Sequence, residues 1–233
     1  MGPNSAHTEP EGTRSSAAAW LRAGTRNDHL AVEERMDLGS TVRCVCDLTE
    51  LLRGWSTVWD AVHRCSAGPG TCRPARDELL GASTLSTSWL RADLRALAHL
   101  RERRAGCRLI VADGLRAVPE GPHEYGIELA RLLLQPAGGW GVAYVLRGSR
   151  LGGGVLAPQI SSALSLPDGV GTRFLESVGT DAGRDWAAFK LRLDHAQLTD
   201  NELESATDAA RWTFRWVGDV IATALGTLAG LTS

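Results

Sequence analysis

Four glycines, Gly148, Gly152, Gly153 and Gly154, crowd into the run Tyr144-Val-Leu-Arg-Gly-Ser-Arg-Leu-Gly-Gly-Gly, while both flanks, Trp140 to Leu146 and Val155 to Leu164, read as helix. A glycine inside a helix costs roughly 1 kcal/mol against alanine, so four together need a reason. One is a plain loop between two helices. The other is a single helix bent on purpose, with bare backbone laid against a large flat ligand. The glycines alone permit both.

The N-terminal part carries a second pattern, Leu21-Arg22-Ala-Gly-Thr25-Arg-Asn-Asp-His29-Leu-Ala-Val-Glu33. At helical spacing, Thr25, His29 and Glu33 fall four residues apart on one stripe, with Arg22 two turns before His29. A lone helical histidine is more often a surface or core residue than a ligand. His29 differs because the Glu33 carboxylate can accept the proton of the ring nitrogen not bound to a metal, which fixes the tautomer and strengthens the other nitrogen as a donor. His63, His99, His123 and His195 have no comparable stripe and read as structural or exposed.

Together these segments resemble the haem oxygenase family, particularly its bacterial, biliverdin-producing branch. The family's first helix reads Leu-(Lys/Arg)-x-x-Thr-x-x-x-His and supplies the proximal iron ligand; the match falls on Leu21, Arg22, Thr25 and His29, and the following glutamate recurs as Glu33. Its distal helix is kinked over the haem at Gly-x-x-x-Gly-Gly, matched by Gly148, Gly152 and Gly153. The bacterial version, Tyr-Val-Leu-(Glu)-Gly-Ser-x-Leu-Gly-Gly, is followed from Tyr144 onward except at Arg147. A third stretch, Phe189-Lys190-x-Arg192 with Leu198-Thr199 and Trp212-Thr-Phe214, is similar to the last two helices of the family, where basic residues meet the propionates and a phenylalanine lines the site. The similarity runs from roughly Ser16 to Leu225.

The resemblance implies an all-α, single-domain helical bundle with haem between the first helix and the kinked distal helix. It implies an enzyme that cleaves haem to biliverdin, CO and ferrous iron with O2 and external electrons, haem being cofactor and substrate at once. His29 would be the metal ligand, and Arg22 and Lys190 would pair with the propionates. Thr25, Glu33, Tyr144, Gly153 and Phe214 would complete the haem contacts. Gly148, Ser149 and Gly152 would form the catalytic face. Many relatives carry an aspartate after the first distal glycine; Ser149 can hold water there but brings no charge. No glycine fingerprint for a flavin or dinucleotide follows a strand, so electrons would come from a ferredoxin or flavoprotein reductase. A non-catalytic haem-binding sensor or carrier with the same fold is the alternative.

Composition is compatible with this reading. The 233 residues are 43% hydrophobic, enough for one sizeable core, and alternating β-branched runs are scarce. A net charge of −2 gives no basic field for nucleic acid or an anionic membrane. Residues 1–14 mix Gly, Pro, Ser, Thr and Glu and read as a disordered segment before a helical domain over 15–233. With no secretory apolar stretch, and five cysteines lacking a CxxC pair, a reducing cytoplasm is the expected compartment. Val220 to Leu231 is about twelve apolar or small residues, short of the ~20 that span a bilayer. A di-iron oxidase would need paired Glu-x-x-His motifs on facing helices, and the chain has one, Glu120 to His123, in a Gly-Pro loop.

The pattern predicts a first helix from a Ser15 or Ser16 cap to Leu38 and a second from Asp47 to about Cys65. A third covers Arg76 to Arg104, interrupted near Gly81. Further helices are predicted over Tyr125 to Leu134, with Gly138-Gly139 separating it from the glycine-rich segment, over Asp185 to His195, and from a Thr199 cap with Glu202 three residues on to about Leu225.

Overall fold

In the computed structural model, residues 16–35, 41–103, 123–177 and 179–229 are described, and among them every regular element is helical. Ser16 caps α1 (Ala17–Gly24) by accepting from the Ala19 amide at 3.2 Å. The first helix does not run on unbroken. It ends at Thr25, whose hydroxyl turns back onto the Leu21 carbonyl at 2.7 Å, and α2 (Arg26–Arg35) starts afresh. The Gly24 carbonyl accepts from Arg211 Nε at 2.9 Å, so a side chain from the far end of the sequence serves the break.

α3 (Val45–Ser66) begins with a capping box in which Cys44 and Asp47 serve each other's backbone amides. One face of it carries Leu48, Leu51, Leu52, Trp55, Val58, Trp59 and Val62 into the core. A three-residue turn of helix, α4 (Arg73–Ala75), leads through a π-helical turn, Arg76–Leu80, into α5 (Gly81–Arg103). The expected interruption near Gly81 is thus a widened turn rather than a break. α6 (His123–Leu133) follows the undescribed residues.

α7 (Pro136–Ala163) is a single helix of 28 residues. It contains the whole glycine-rich run and also Gly138 and Gly139, which were expected to separate two helices. Pro136 at its first turn starts the helix early. The two glycines then permit close approach: a Cβ on Gly138 would strike the Leu132 carbonyl, and one on Gly139 would lie 2.8 Å from Cys72 Sγ and 3.0 Å from Ala75. Pro158 lies inside this helix, so the Gly154 carbonyl loses its helical donor.

The short α8 (Arg173–Glu176) leads to α9 (Ala182–His195), capped by Asp181, and then to α10 (Asp200–Ala229). Thr199 and Glu202 form the predicted cap, with the Thr199 amide donating to Glu202 at 2.8 Å. α10 is the spine of the bundle. It packs along α7 and α3, and its first half also takes α1 and α2. α2 and α10 run side by side: Gly24 meets Thr207, Asp28 pairs with Arg211 at 3.7 Å, and Gly218 faces Val32. No described helix is long and apolar enough to cross a membrane.

Candidate functional site

On α7 the residues Gly141, Tyr144, Gly148, Leu151, Gly152 and Val155 recur at helical spacing and share one face. At Gly141 that face is filled by α10, where an added Cβ would collide with the Ala206 carbonyl. A turn further, the Tyr144 phenol reaches the Thr25 hydroxyl and the neighbourhood of Arg22. The Thr25 proton is already given to Leu21, so Tyr144 donates. Burial pushes the Tyr144 phenol up, while Thr25 and Arg22 pull it back.

Beyond Tyr144 the face opens. A Cβ on Gly148 would be 3.5 Å from the Trp186 ring, an ordinary contact, and one on Gly152 would meet nothing within 4 Å. Leu151 and Val155 stand 37% and 65% exposed beside it. Gly153 points elsewhere, against α8, its Cβ direction ending 2.7 Å from the Leu175 carbonyl. Ser149 donates its hydroxyl proton to the Leu146 carbonyl at 2.9 Å and keeps its lone pairs for a second partner.

His29 lies one turn beyond Thr25, its amide bonded to the Thr25 carbonyl at 3.0 Å. The imidazole is solvent-accessible and its ring stands edge-on to Phe214, centroids 5.5 Å apart and planes at 85°. The Glu33 side chain lies outside the described residues. α2 and α7 each pack on α10 but do not form a packed pair with one another. Arg22 and Lys190 are both exposed. On α9, Lys190 sits one turn after Trp186, which packs on Tyr144 at 5.3 Å, and one turn before Asp194, which accepts from the Ala18 amide at 3.1 Å. The structure therefore gathers Arg22, Thr25 and Tyr144 directly and brings Trp186 beside Gly148, with Lys190 the next turn along. Leu151, Val155 and Trp186 were not singled out as site residues; the spacing from Tyr144 and Gly148 pointed to the first two.

Arg147 and Arg150, which interleave with the glycines, turn away from the open face. Arg147 pairs with the buried Glu78 at 3.2 Å, and Arg192 reaches the same carboxylate at 3.0 Å. Arg150 donates to Ser177 at 3.2 Å, contacts Asp185, and lies over the Trp89 ring. Burial lowers both guanidinium pKa values; Glu78 offsets this at Arg147 and Asp185 at Arg150. Behind Gly153, the Asp93 carboxylate accepts from the Arg173 amide at 3.1 Å and the Phe174 amide at 2.8 Å, fastening α8. Among the described residues no three His, Cys, Asp or Glu side chains gather as a metal cluster. A haem iron asks for less: one imidazole on an apolar, flat-walled face. His29, Phe214 and the open stretch at Gly152 meet that demand.

The match to known proteins follows the same outline. A family model described as heme oxygenase covers residues 87–223, which takes in the glycine-rich run and most of α10 but starts after α2. The chain is 31% identical over 121 residues to the heme oxygenase PigA of Pseudomonas aeruginosa, a span of 52% of this chain and 59% of that protein, under two thirds of the relative's length. Among solved structures, the heme oxygenase of Leptospira interrogans superposes with a TM-score of 0.61 at 17% identity, covering 89% of this chain and 99% of the other. Heme oxygenase-1 of the cyanobacterium Synechocystis, solved in complex with heme, gives 0.59 at 15% identity over 94% and 97%. At such identities the superpositions speak for the shared helical fold. The family model spans more than half of the sequence, and the chain belongs to the heme oxygenase family.

Proposed function

We propose that this protein binds haem across the open face of α7 and cleaves it to biliverdin, CO and ferrous iron, using O2 and electrons from a ferredoxin or flavoprotein reductase. One observation carries the reading. A single helical face is occupied by protein at Gly141 and Tyr144, bounded by Trp186 at Gly148, and left empty and apolar from Leu151 to Val155. A glycine with nothing near it gains nothing from the protein for the helix propensity it gives up.

Haem supplies the iron that activates oxygen and the ring that is opened. The chain's own residues divide the remaining work. His29 would hold the iron from α2, with Phe214 against the edge of its ring limiting rotation. Arg22 and Lys190 are exposed cations on either side of the Tyr144–Trp186 contact, placed to pair with the propionates and resist turning of the ring in its plane. Gly152 leaves room where a Cβ would otherwise project toward bound oxygen. Ser149, its proton committed to Leu146, can accept from a water on that side, which replaces charge by hydrogen bonding in the proton supply.

The test is haemin titration of the purified chain, then ascorbate with an optical scan for biliverdin. Saturable binding with biliverdin formation is expected; binding without ring opening would favour the sensor or carrier reading, and no binding would end both. His29→Ala should still fold, since alanine favours the helix. Its haem complex should lose the histidine-ligated spectrum and most ring opening, and added imidazole should restore part of each. A wild-type spectrum and yield in His29→Ala would move the ligand elsewhere.

A further inference from the structure

Trp186 reaches the open face at the end of a stacked column. Its ring lies on Phe189 with centroids 5.3 Å apart and planes at 17°; Phe189 is fully buried and also meets Trp140 at 5.7 Å. The Arg147 guanidinium sits over the other part of this column, 5.7 Å from the Phe189 centroid. Arg147 is itself held through Nη1, which donates to the Glu78 carbonyl at 2.9 Å and meets its carboxylate at 3.2 Å. Glu78 belongs to the π-helical turn, so the column is anchored in a different layer of the bundle. An indole packed on Phe189 and Tyr144 in this way has no freedom to swing aside as a plug would.

Resting on the haem-binding reading above, we infer that Trp186 is a specificity-determining wall: it closes the open face beside Gly148 and so sets how far a flat ligand can slide along α7, with Arg147 as the positioning residue that holds it through Phe189. The ligand then lies against Gly152 more than against Gly148. The edge of the ring that meets Trp186 fixes which bridging carbon comes under attack. Arg147 stands where the bacterial family version has a glutamate, and a glutamate there would face Glu78 instead of pairing with it. Arg147→Met is a tolerable probe, because Arg192 still reaches Glu78 and the long stem keeps its packing.

Haem Kd and biliverdin isomer composition are compared in wild type, Trp186→Ala, Trp186→Phe and Arg147→Met, and an Arg147/Trp186 double-mutant cycle is run on the denaturation midpoint of the haem-free protein. Trp186→Ala should weaken haem about tenfold, the scale of one lost aromatic wall, and yield a second isomer. Trp186→Phe should restore the wild-type isomer, Arg147→Met should shift the mixture in the direction of Trp186→Ala, and the haem-free cycle should be non-additive. Should Trp186→Ala fail to fold, Trp186→Leu, which keeps apolar bulk without the plane, is read in the same way. An unchanged Kd and isomer composition in the truncated variant overturns the wall, and an additive cycle overturns the clamp. If wild type binds haem but opens no ring, the oxygenase reading fails while the wall stands or falls on the Kd alone.

Discussion

The two ends of α7 use the same residue for opposite reasons. At the N-terminal end, Gly138, Gly139 and Gly141 are glycines because protein lies against them: the Leu132 carbonyl, Cys72 with Ala75, and the Ala206 carbonyl occupy the positions a Cβ would take. At the C-terminal end, Gly152 and Gly154 have nothing within 4 Å of that position. The first set is explained by the fold. The second is not, and a helix that forgoes alanine there without a packing return points to something outside the chain. The lesson is that a glycine cluster becomes informative about ligand only after the glycines required by packing have been subtracted.

The largest effect should come from Gly141→Ala. The new methyl would overlap the Ala206 carbonyl and crowd Ala209 at 2.8 Å, so α7 and α10 would have to part along their main contact. Backbone cannot yield as a side-chain tip does, and a loss of about 3 kcal/mol or more is expected, roughly 10 °C in melting temperature. A Gly141→Ala protein that melts with wild type would erase the contrast between the two ends.

Next comes the support behind Gly153. Desolvation lifts the Asp93 carboxyl to about 6, against the pull of the Phe174 and Arg173 amides and the Arg173 charge, with Glu176 adding to the rise. Because the folded value exceeds the unfolded one, folding takes up a proton between about pH 4 and 6, and stability falls as pH rises through that window. At neutral pH the ionised Asp93 therefore weighs on the fold, on the order of 2–3 kcal/mol relative to pH 4. Denaturant midpoints across pH 4–7.5 should carry this slope in wild type and lack it in Asp93→Asn, which leaves one of the two amides without an acceptor and is less stable throughout. Identical pH profiles would mean that Asp93 does not titrate there.

The smallest and most telling effect concerns the open glycines. Gly152→Ala and Gly154→Ala should each raise the stability of the haem-free protein by up to about 1 kcal/mol. Only Gly152→Ala, on the stripe shared with Tyr144 and Val155, should weaken haem binding or ring opening, and Gly152→Leu should abolish biliverdin formation. Gly154, on the other side of the helix, is the control. Equal consequences for haem in the two alanine variants would detach the open face from the ligand.

Much of this was legible in the residues. The Ser16 cap, the Thr199–Glu202 cap, the Trp55–Trp59 stripe and the grouping of Thr25 with Tyr144 follow from local chemistry or motif spacing. The break at Thr25 was not legible, because the carbonyl it frees is served by Arg211, 187 residues away. Gly138 and Gly139 read as a separator because a glycine pair looks the same in a loop and in a tight helix crossing; Cys72 and Ala75 decide between them. Arg147 stood out as a departure from the bacterial motif, but its partner Glu78 lies 69 positions earlier and no spacing rule joins them.

The π-helical turn at Arg76–Leu80 acts on everything after it as a change of phase. Such a turn holds one residue more than an α-helix would need for the same rise, so removing a single residue there should let α4 and α5 fuse in ordinary register. The fused helix would then present every position beyond Gly81 rotated by about 100° relative to the part anchored at Cys72 and Ala75. Asp93 would leave the α8 amides and Trp89 would leave Arg150, both at once. A one-residue deletion between 76 and 80 should therefore be far more damaging than the loss of any of those side chains, and one compensating insertion before Trp89 should undo most of the harm.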